Sequence, residues 1–258
     1  MNHEQIAQEL FGADKACKQI ASLTQRYPDM AVEDAYKIQL LNVARWKEEN
    51  RKLIGMKIGL TSRAMQELLG VNEPDYGHLY EDMLIPEGGS CSMSELIQPR
   101  VEGELTFCLK KTLKGPGITD KDVIAATEYV IPSIEVVDSR VLDWKIKLED
   151  TVADNGSSAK LILGGKKMSP EQVDMRLTGM TLEQNGQLIN SGVAAEVWGS
   201  PAAAVAWLAN KLSSYNIELP AGSLVMSGAL TSALFAKAGD TFKASFYGMG
   251  SVSLTFTD

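Results

Sequence analysis

Apolar residues recur at helical intervals over the first fifty residues of the chain. Ile6, Leu10 and Phe11 share one stripe, and a second series of helical spacing covers residues 32–46. Pro28-Asp29 stands between the two series and predicts a break. We therefore expect an N-terminal helical cap, assigned to residues 1–52.

From Leu53 onward the pattern changes to short apolar runs separated by Gly and Pro, which is typical of strands joined by turns. Asn185-Gly186 between two apolar runs is the strongest hairpin signal in the chain. Two further helices are predicted, one after the capping pattern at Thr119 and one from Pro201. The fold class is therefore α+β, with a β-rich core at 53–258 that forms one structural unit with the helices.

Composition argues against several classes of partner. The chain has 33 Asp and Glu against 25 Lys and Arg, a net charge of -8, so a phosphate backbone would be repelled and no nucleic acid is expected. No apolar run reaches the roughly 18 residues of a membrane span, and the N-terminus has no signal-peptide pattern. Three cysteines without a CxxC spacing predict reduced thiols. We expect a cytoplasmic protein without a membrane partner.

Polar and apolar residues alternate over residues 98–109, which predicts a strand with Leu105 and Phe107 facing the core. Glu102 and Glu104 then point the same way, because side chains at i and i+2 lie on one face. Two such carboxylates repel each other unless a cation lies between them. A solvent-facing strand edge is the common explanation of a bare E-x-E, so a further acid is needed to favour a metal site.

Glu135 provides that acid, because it interrupts the apolar run at residues 130–137. A lone buried charge is costly, and a hard divalent cation shared with Glu102 and Glu104 would compensate it. Asp138 lies three residues further on and is expected on the opposite face in a structural role.

The two histidines do not indicate a hydrolytic or zinc site. His3 and His78 are the only histidines, so a His-rich zinc site is excluded and neither has a nucleophile motif nearby. Because His78 follows Pro74-Asp75-Tyr76-Gly77, we interpret it as a surface residue associated with a turn.

Five motifs occur in an order that resembles a known family. They lie at residues 55–62, at 73–77, in the E-x-E strand, at 130–140 and at 151–155. Together they resemble the 2-keto-4-pentenoate hydratase branch of the fumarylacetoacetate hydrolase family, which includes decarboxylase relatives. The resemblance runs from about Val32 to Phe256.

The resemblance implies a mixed β-roll or barrel in which Mg²⁺ or Mn²⁺ is held by Glu102, Glu104 and Glu135. It also implies that Lys57 and Asp75 act as acid and base on a 2-keto acid, although each alone would be an ordinary polar loop residue. The residues that the resemblance places at the substrate are Leu60, Asp154, Ser227 and Gly228. By itself, Ser227-Gly228 is an ordinary β-turn.

The expected reaction is hydration of 2-hydroxypenta-2,4-dienoate to 4-hydroxy-2-oxopentanoate, a step in the meta-cleavage degradation of aromatic compounds. Gln98-Pro99-Arg100 and residues 143–147 favour a hydratase. Decarboxylation of 4-oxalocrotonate is the alternative, and Ser157-Ser158 slightly favours it. An inactive metal-binding subunit is a more remote alternative. Gly156 and Glu196 depart from the family pattern. The resemblance further implies a homo-oligomer, alone or associated with the sister enzyme.

Overall fold

The computed structural model describes the backbone of residues 1–258 and every side chain except those of residues 68 and 69. Its α-helices are α1 His3–Ala16, α2 Leu23–Arg26, α3 Val32–Glu48, α4 Arg63–Leu69, α5 Asp120–Ala126, α6 Leu148–Ala153 and α7 Pro201–Ser213. The first three helices form the N-terminal part, as predicted. Asn2 caps α1 by accepting a hydrogen bond from the Gln5 amide, and α1 packs on α3.

The strands form two sheets. They are β1 Leu53–Gly59, β2 Asp75–Tyr80, β3 Leu84–Ile85, β4 Ser90–Ser92, β5 Arg100–Leu109, β6 Thr127–Val137, β7 Ser158–Leu163, β8 Gly179–Gln184, β9 Gln187–Val193, β10 Leu224–Ala229, β11 Leu234–Phe235, β12 Thr241–Phe246 and β13 Gly250–Thr257. The larger sheet has the order β2-β1-β10-β5-β6-β7-β3, with β11 also paired to β5. The smaller sheet has the order β4-β13-β12-β8-β9.

Both sheets are mixed, since β1 pairs parallel with β10, and β4 pairs parallel with β13, among otherwise mostly antiparallel neighbours. The prediction of an α+β fold with a mixed β core and an N-terminal helical part is therefore confirmed. The predicted hairpin at Asn185-Gly186 joins β8 to β9, and the predicted helix from Pro201 is α7.

Strands β5 and β6 form the centre of the larger sheet and have two chemically distinct faces. On one face Leu105 and Phe107 are completely buried in the apolar core. Gly103 lies on this face too, where a Cβ would press on Met180 and Ala244 of the smaller sheet. The smaller sheet therefore covers the apolar side of β5, and the acidic side chains occupy the opposite face.

The part of the chain that the structure describes contains no helix that is long and apolar enough to cross a membrane.

Candidate metal centre

Three carboxylates meet on the polar face of β5 and β6. The antiparallel register places Glu102 directly opposite Glu135, and Glu104 follows two residues along β5 on the same face. One oxygen from each of Glu102, Glu104 and Glu135 lies within 4.8 Å of the other two. The structure therefore brings together all three residues that the sequence selected as metal ligands.

Burial makes this cluster electrostatically unfavourable without a cation. Glu104 and Glu135 are fully buried, and Glu102 is partly buried. Burial, reinforced by the neighbouring carboxylate of Glu135, raises the pKa of Glu102 to about 7 and the pKa of Glu104 well above its ordinary value. Burial also raises the pKa of Glu135, against the opposing effect of Lys57. A divalent cation among the three groups would reverse these shifts.

The carboxylate oxygens that are available as ligands suit such a cation. Oε1 of Glu104 and both carboxylate oxygens of Glu135 are buried and accept no hydrogen bond from the described residues. Unpartnered buried acceptors are rare in folded proteins because they cost free energy. An all-oxygen, carboxylate-rich donor set is the kind that Mg²⁺ and Mn²⁺ prefer. The residues present thus suit a hard divalent ion.

Lys57 lies beside the acids on β1. Its ammonium nitrogen is 3.7 Å from Oε2 of Glu135 and donates a 2.9 Å hydrogen bond to the Gly156 carbonyl oxygen. Burial by itself lowers the pKa of Lys57, but the carboxylates, led by Glu135 and Asp75, more than offset it and raise the pKa above its ordinary value. Lys57 is therefore a fixed positive charge at the centre.

Asp75 begins β2, directly opposite Gly59 at the end of β1. Oδ2 accepts a 3.2 Å hydrogen bond from the Thr151 hydroxyl, whereas Oδ1 is buried without a partner among the described residues. A Cβ at Gly59 would overlap Asp75 Oδ1 and crowd the Lys57 ammonium group. Gly59 thus makes the space in which the two predicted acid–base residues approach each other.

The segment after α6 supports this arrangement. Asn155 accepts a hydrogen bond from the His78 amide at 2.7 Å and donates one to the His78 carbonyl at 3.0 Å. It thereby fixes Gly156, whose carbonyl holds Lys57. Asp154 pairs with Arg140 at 2.5 Å and also accepts from the Arg140 amide. Its carboxylate is thus engaged by the protein, and its contact with substrate stays a prediction.

The remaining predicted substrate residues lie near the ends of β1 and β10. Leu60 follows β1 with a positive φ of 55°. The Ser227 hydroxyl donates to the Leu105 carbonyl, and the Gly228 amide donates to Oε2 of Glu104 at 2.8 Å. Gly228 has a φ of 113° and packs against Thr61, where a Cβ would not fit. The Gly228 amide therefore orients a predicted metal ligand, and direct substrate contacts of these three residues remain predictions.

The interpretation of His78 as a surface residue at a turn is wrong. His78 lies inside β2 and is 3% exposed, and burial lowers its pKa to about 4.

The sequence pattern by itself also indicated no role for Thr151, Gly59 or the Gly156 carbonyl. Residues 151–155 stood out only through their resemblance to a family motif.

Comparison with known proteins identifies the family. The fumarylacetoacetate (FAA) hydrolase C-terminal family matches residues 64–257. The chain belongs to this family. Among relatives in it, a 2-hydroxypent-2,4-dienoate hydratase of Pseudomonas putida is 50% identical over 214 residues, which cover 83% of this chain and 96% of the relative. A 2-hydroxyhexa-2,4-dienoate hydratase of Comamonas testosteroni is 44% identical over 257 residues, 99% of this chain and 97% of the relative.

A solved member of the same family has almost the same fold. The 4-oxalocrotonate decarboxylase of Pseudomonas putida G7, in complex with magnesium and adipate, superimposes with a TM-score of 0.96 at 38% identity, covering 98% of this chain and 97% of the decarboxylase. The predicted membership in the hydratase and decarboxylase branch of the fumarylacetoacetate hydrolase family is confirmed, as is the fold that it implied.

Proposed function

We propose that the chain is a divalent-metal-dependent hydro-lyase that adds water to 2-hydroxypenta-2,4-dienoate and yields 4-hydroxy-2-oxopentanoate. The main observation behind this proposal is that three carboxylates lie close to Lys57 and Asp75 in the protein interior. The similarity to two dienoate hydratases at 50% and 44% identity supports this choice of substrate class and reaction.

Glu102, Glu104 and Glu135 would hold the metal, Mg²⁺ or Mn²⁺. The oxygens of Glu104 and Glu135 that have no partner among the described residues, and the magnesium in the related decarboxylase, support this assignment. When bound, such an ion supplies Lewis-acid polarisation of the substrate's 2-oxygen. The Gly228 amide holds Glu104 in place for this purpose.

Asp75 is suited to handle the carbon-bound proton, because Oδ1 is buried with no partner among the described side chains while Thr151 holds Oδ2. A 2-hydroxy-2,4-diene is electron-rich and resists water, whereas its keto tautomer has an electrophilic C4. Protonation at C5 therefore comes first, and water adds at C4 afterwards. Proton delivery or removal at a fixed position is general acid–base catalysis.

Lys57 has a different task, because the surrounding carboxylates keep it charged. Its ammonium group can donate to the substrate's oxygen and stabilise negative charge that develops there during proton transfer. The hydrogen bond to the Gly156 carbonyl fixes the position of that charge. Leu60, Ser227, Gly228 and Asp154 are proposed to contact the substrate directly or to shape the wall around it.

Turnover tests the proposed reaction. The purified chain with Mg²⁺ or Mn²⁺ should remove the ultraviolet absorbance of 2-hydroxypenta-2,4-dienoate faster than its spontaneous ketonisation and form 4-hydroxy-2-oxopentanoate. An inactive metal-binding subunit, the more remote alternative, would bind the ion and leave the absorbance decay at the spontaneous rate.

Decarboxylation of 4-oxalocrotonate is the second candidate, since the solved decarboxylase shares the fold at a TM-score of 0.96. The test is to incubate the enzyme with 2-oxo-hex-3-enedioate and measure carbon dioxide. Release of carbon dioxide at a rate above that of C5 dienoate hydration would replace the first proposal with this one.

Metal titration tests the ligand set. Glu104→Gln removes one charge from the cluster and should weaken metal affinity and activity together, and excess Mg²⁺ should restore part of the activity. Glu95→Gln is a matched control, because Glu95 lies on the surface paired with Lys160. Unchanged metal affinity in Glu104→Gln would exclude Glu104 as a ligand.

We also propose a cytosolic homo-oligomer, alone or associated with the sister enzyme. Strand β9 is the free edge of the smaller sheet and exposes Leu188, Ile189 and Val193. An exposed apolar edge strand is usually covered by another chain or protected by charge. Light scattering at micromolar concentration should give a multiple of 28.0 kDa, and a monomer mass would contradict the proposal.

A further inference from the structure

Gln39 is a buried amide that bridges two elements of the core. It lies on α3 and is fully buried. Its side-chain nitrogen donates to the Tyr76 carbonyl of β2 at 2.9 Å and to the Val152 carbonyl of α6 at 2.7 Å. Because both partners are acceptors, only the NH₂ end of the amide can face them, and both of its hydrogens are used. The orientation of the Gln39 side chain is therefore fixed.

The bridge joins a strand edge to a helix end. Strand β2 is an edge strand of the larger sheet, since β1 is its only neighbour in the strand order, and its outer edge needs donors from elsewhere. Helix α6 ends at Ala153, so the Val152 carbonyl is one of the last-turn carbonyls that have no donor within the helix. Gln39 supplies a donor to each and thereby sets the separation of β2 and α6.

Each bridged residue directly follows a residue of the candidate site. Asp75 precedes Tyr76, Thr151 precedes Val152, and the Thr151 hydroxyl donates to Asp75 Oδ2 at 3.2 Å. Hydrogen bonds between two oxygens usually measure about 2.5 to 3.0 Å, so this bond is already long. A small increase in the separation of β2 and α6 would therefore break it and release the Asp75 carboxylate.

The free-energy cost of Gln39 indicates a role beyond attachment of the helix. Its Oε1 is buried and accepts no hydrogen bond from the described residues. Such an acceptor is costly, and an apolar side chain at this position would avoid the cost. The Tyr36 ring already stacks on Tyr76 with 4.6 Å between ring centres, so α3 contacts β2 independently of Gln39. What Gln39 adds is a fixed position of the two backbone segments.

We propose that Gln39 is a positioning residue for Asp75. By holding the carbonyls of Tyr76 and Val152, it keeps Thr151 within hydrogen-bond reach of Asp75 Oδ2 and leaves Oδ1 as the oxygen that handles the proton. The inference rests on the proposed function for the role of Asp75 in catalysis.

Gln39→Met tests this role, because methionine fills a similar volume and has no donor for the two carbonyls. With 2-hydroxypenta-2,4-dienoate and excess Mg²⁺, kcat should fall about 10- to 100-fold, the loss that a displacement of about 1 Å can cause. KM and metal affinity should stay close to wild type, because the metal ligands are untouched. Crystal structures of wild type and variant should show the hydrogen bond between Thr151 and Asp75 broken in the variant. Gln39→Asn, whose amide is one methylene shorter, has the same expected outcomes if Gln39→Met does not fold.

A double-mutant cycle separates positioning from a general weakening of the fold. If Gln39 acts through Asp75, adding Gln39→Met to Asp75→Asn should lower kcat by less than about twofold, because coupled positions are not additive. A purely structural effect would lower kcat by the same factor in both backgrounds.

Leu10→Ala is the control for stability. Leu10 is buried in α1, which packs on α3, so its truncation weakens the same helices and leaves the Gln39 bridge intact. It should keep the wild-type kcat.

Four results would each overturn the proposal: wild-type kcat in Gln39→Met, an equal loss in Leu10→Ala, an equal factor in the Asp75→Asn background, or an intact bond between Thr151 and Asp75 in the variant crystal. If the wild-type chain does not hydrate the dienoate, the proposed function fails, and the crystal structures alone decide whether Gln39 positions Asp75.

Discussion

At the scale of single residues, the candidate site depends on groups whose buried charges compensate one another. Three carboxylates and Asp75 face one ammonium group, so negative charge exceeds positive charge until a divalent ion is added. Removing one partner from such a cluster leaves the others uncompensated in a medium of low dielectric constant. Substitution of an acid and substitution of Lys57 should therefore impair different properties of the site.

Lys57→Ala and Asp75→Asn should each lower kcat about 10²- to 10⁴-fold, the usual contribution of a general acid or base, while the metal stays bound. Steady-state kinetics together with a metal titration would check both parts. Lys52→Ala is the control, because Lys52 is exposed and pairs with Glu81 at the surface. Turnover close to wild type in both variants would assign the catalysis to the metal and its water alone.

Gly59→Ala should disturb the same pair without removing a functional group. The new methyl group would overlap Asp75 Oδ1 and crowd Lys57, so kcat should fall although both residues are present. Gly12→Ala in α1 is the matched control, since no atom of the described residues lies within 4 Å of its Cβ position. An activity equal to wild type would mean that Asp75 can move away without consequence.

At the scale of secondary-structure elements, the sequence predicted strands well wherever one face is polar. The alternation in β5 placed Glu102 and Glu104 correctly on one face and Leu105 and Phe107 on the other. The sequence pattern did not predict strand β2, because all six of its residues are buried and polar and apolar positions do not alternate there. Gly77, which suggested a turn, is there because a Cβ would overlap the Asn155 carbonyl oxygen.

The buried position of His78 in β2 predicts a dependence of stability on pH. Its pKa is about 4 in the folded chain and about 6.5 when unfolded, so as pH falls below 6.5 the unfolded chain takes up the proton first. The free energy of unfolding should then decrease by up to about 1.4 kcal/mol per pH unit until pH 4. His78→Gln should lose this component in denaturant titrations between pH 4 and 7.

His3→Gln provides the comparison, because His3 is half-buried at the surface beside Asp34. Subtracting each variant from the wild-type chain at every pH cancels the titration of the other acids. Equal pH slopes for wild type and His78→Gln would mean that the imidazole is protonated or solvated in the folded chain.

At the scale of the whole molecule, the sequence could not predict how the elements assemble. The periodicity of a helix or strand shows which of its faces is buried, but it does not show which strand is its neighbour. The sequence pattern therefore could not predict the parallel pairing of β1 with β10. That pairing brings Lys57 and Gly228 to neighbouring strands, next to Glu104 on β5. The three predicted metal ligands could be picked out because they share two adjacent antiparallel strands, whereas Thr151 and Gly156 come from a distant segment.

The helical segment 1–52 and the core at 53–258 are predicted to unfold as one unit. Gln39 of α3 is fully buried and donates hydrogen bonds to the carbonyls of Tyr76 and Val152, at 2.9 and 2.7 Å. Trp46 packs against Tyr80 of β2. Because these contacts join the helix to the sheet and to α6, the helices should not melt before the core.

A chain that retains Trp46 but carries Trp144→Phe, Trp198→Phe and Trp207→Phe would report on the helical segment by fluorescence, while circular dichroism reports on the whole chain. The two denaturation curves should share one midpoint.

Gln39→Leu leaves two buried carbonyls without their donor and should lower the free energy of unfolding by about 1 to 3 kcal/mol. Gln8→Leu, at an exposed position of α1, should change it far less. If the Trp46 signal changed at a lower denaturant concentration than the dichroism, the helices would be a separate unit, and Gln39→Leu would then shift only the first transition.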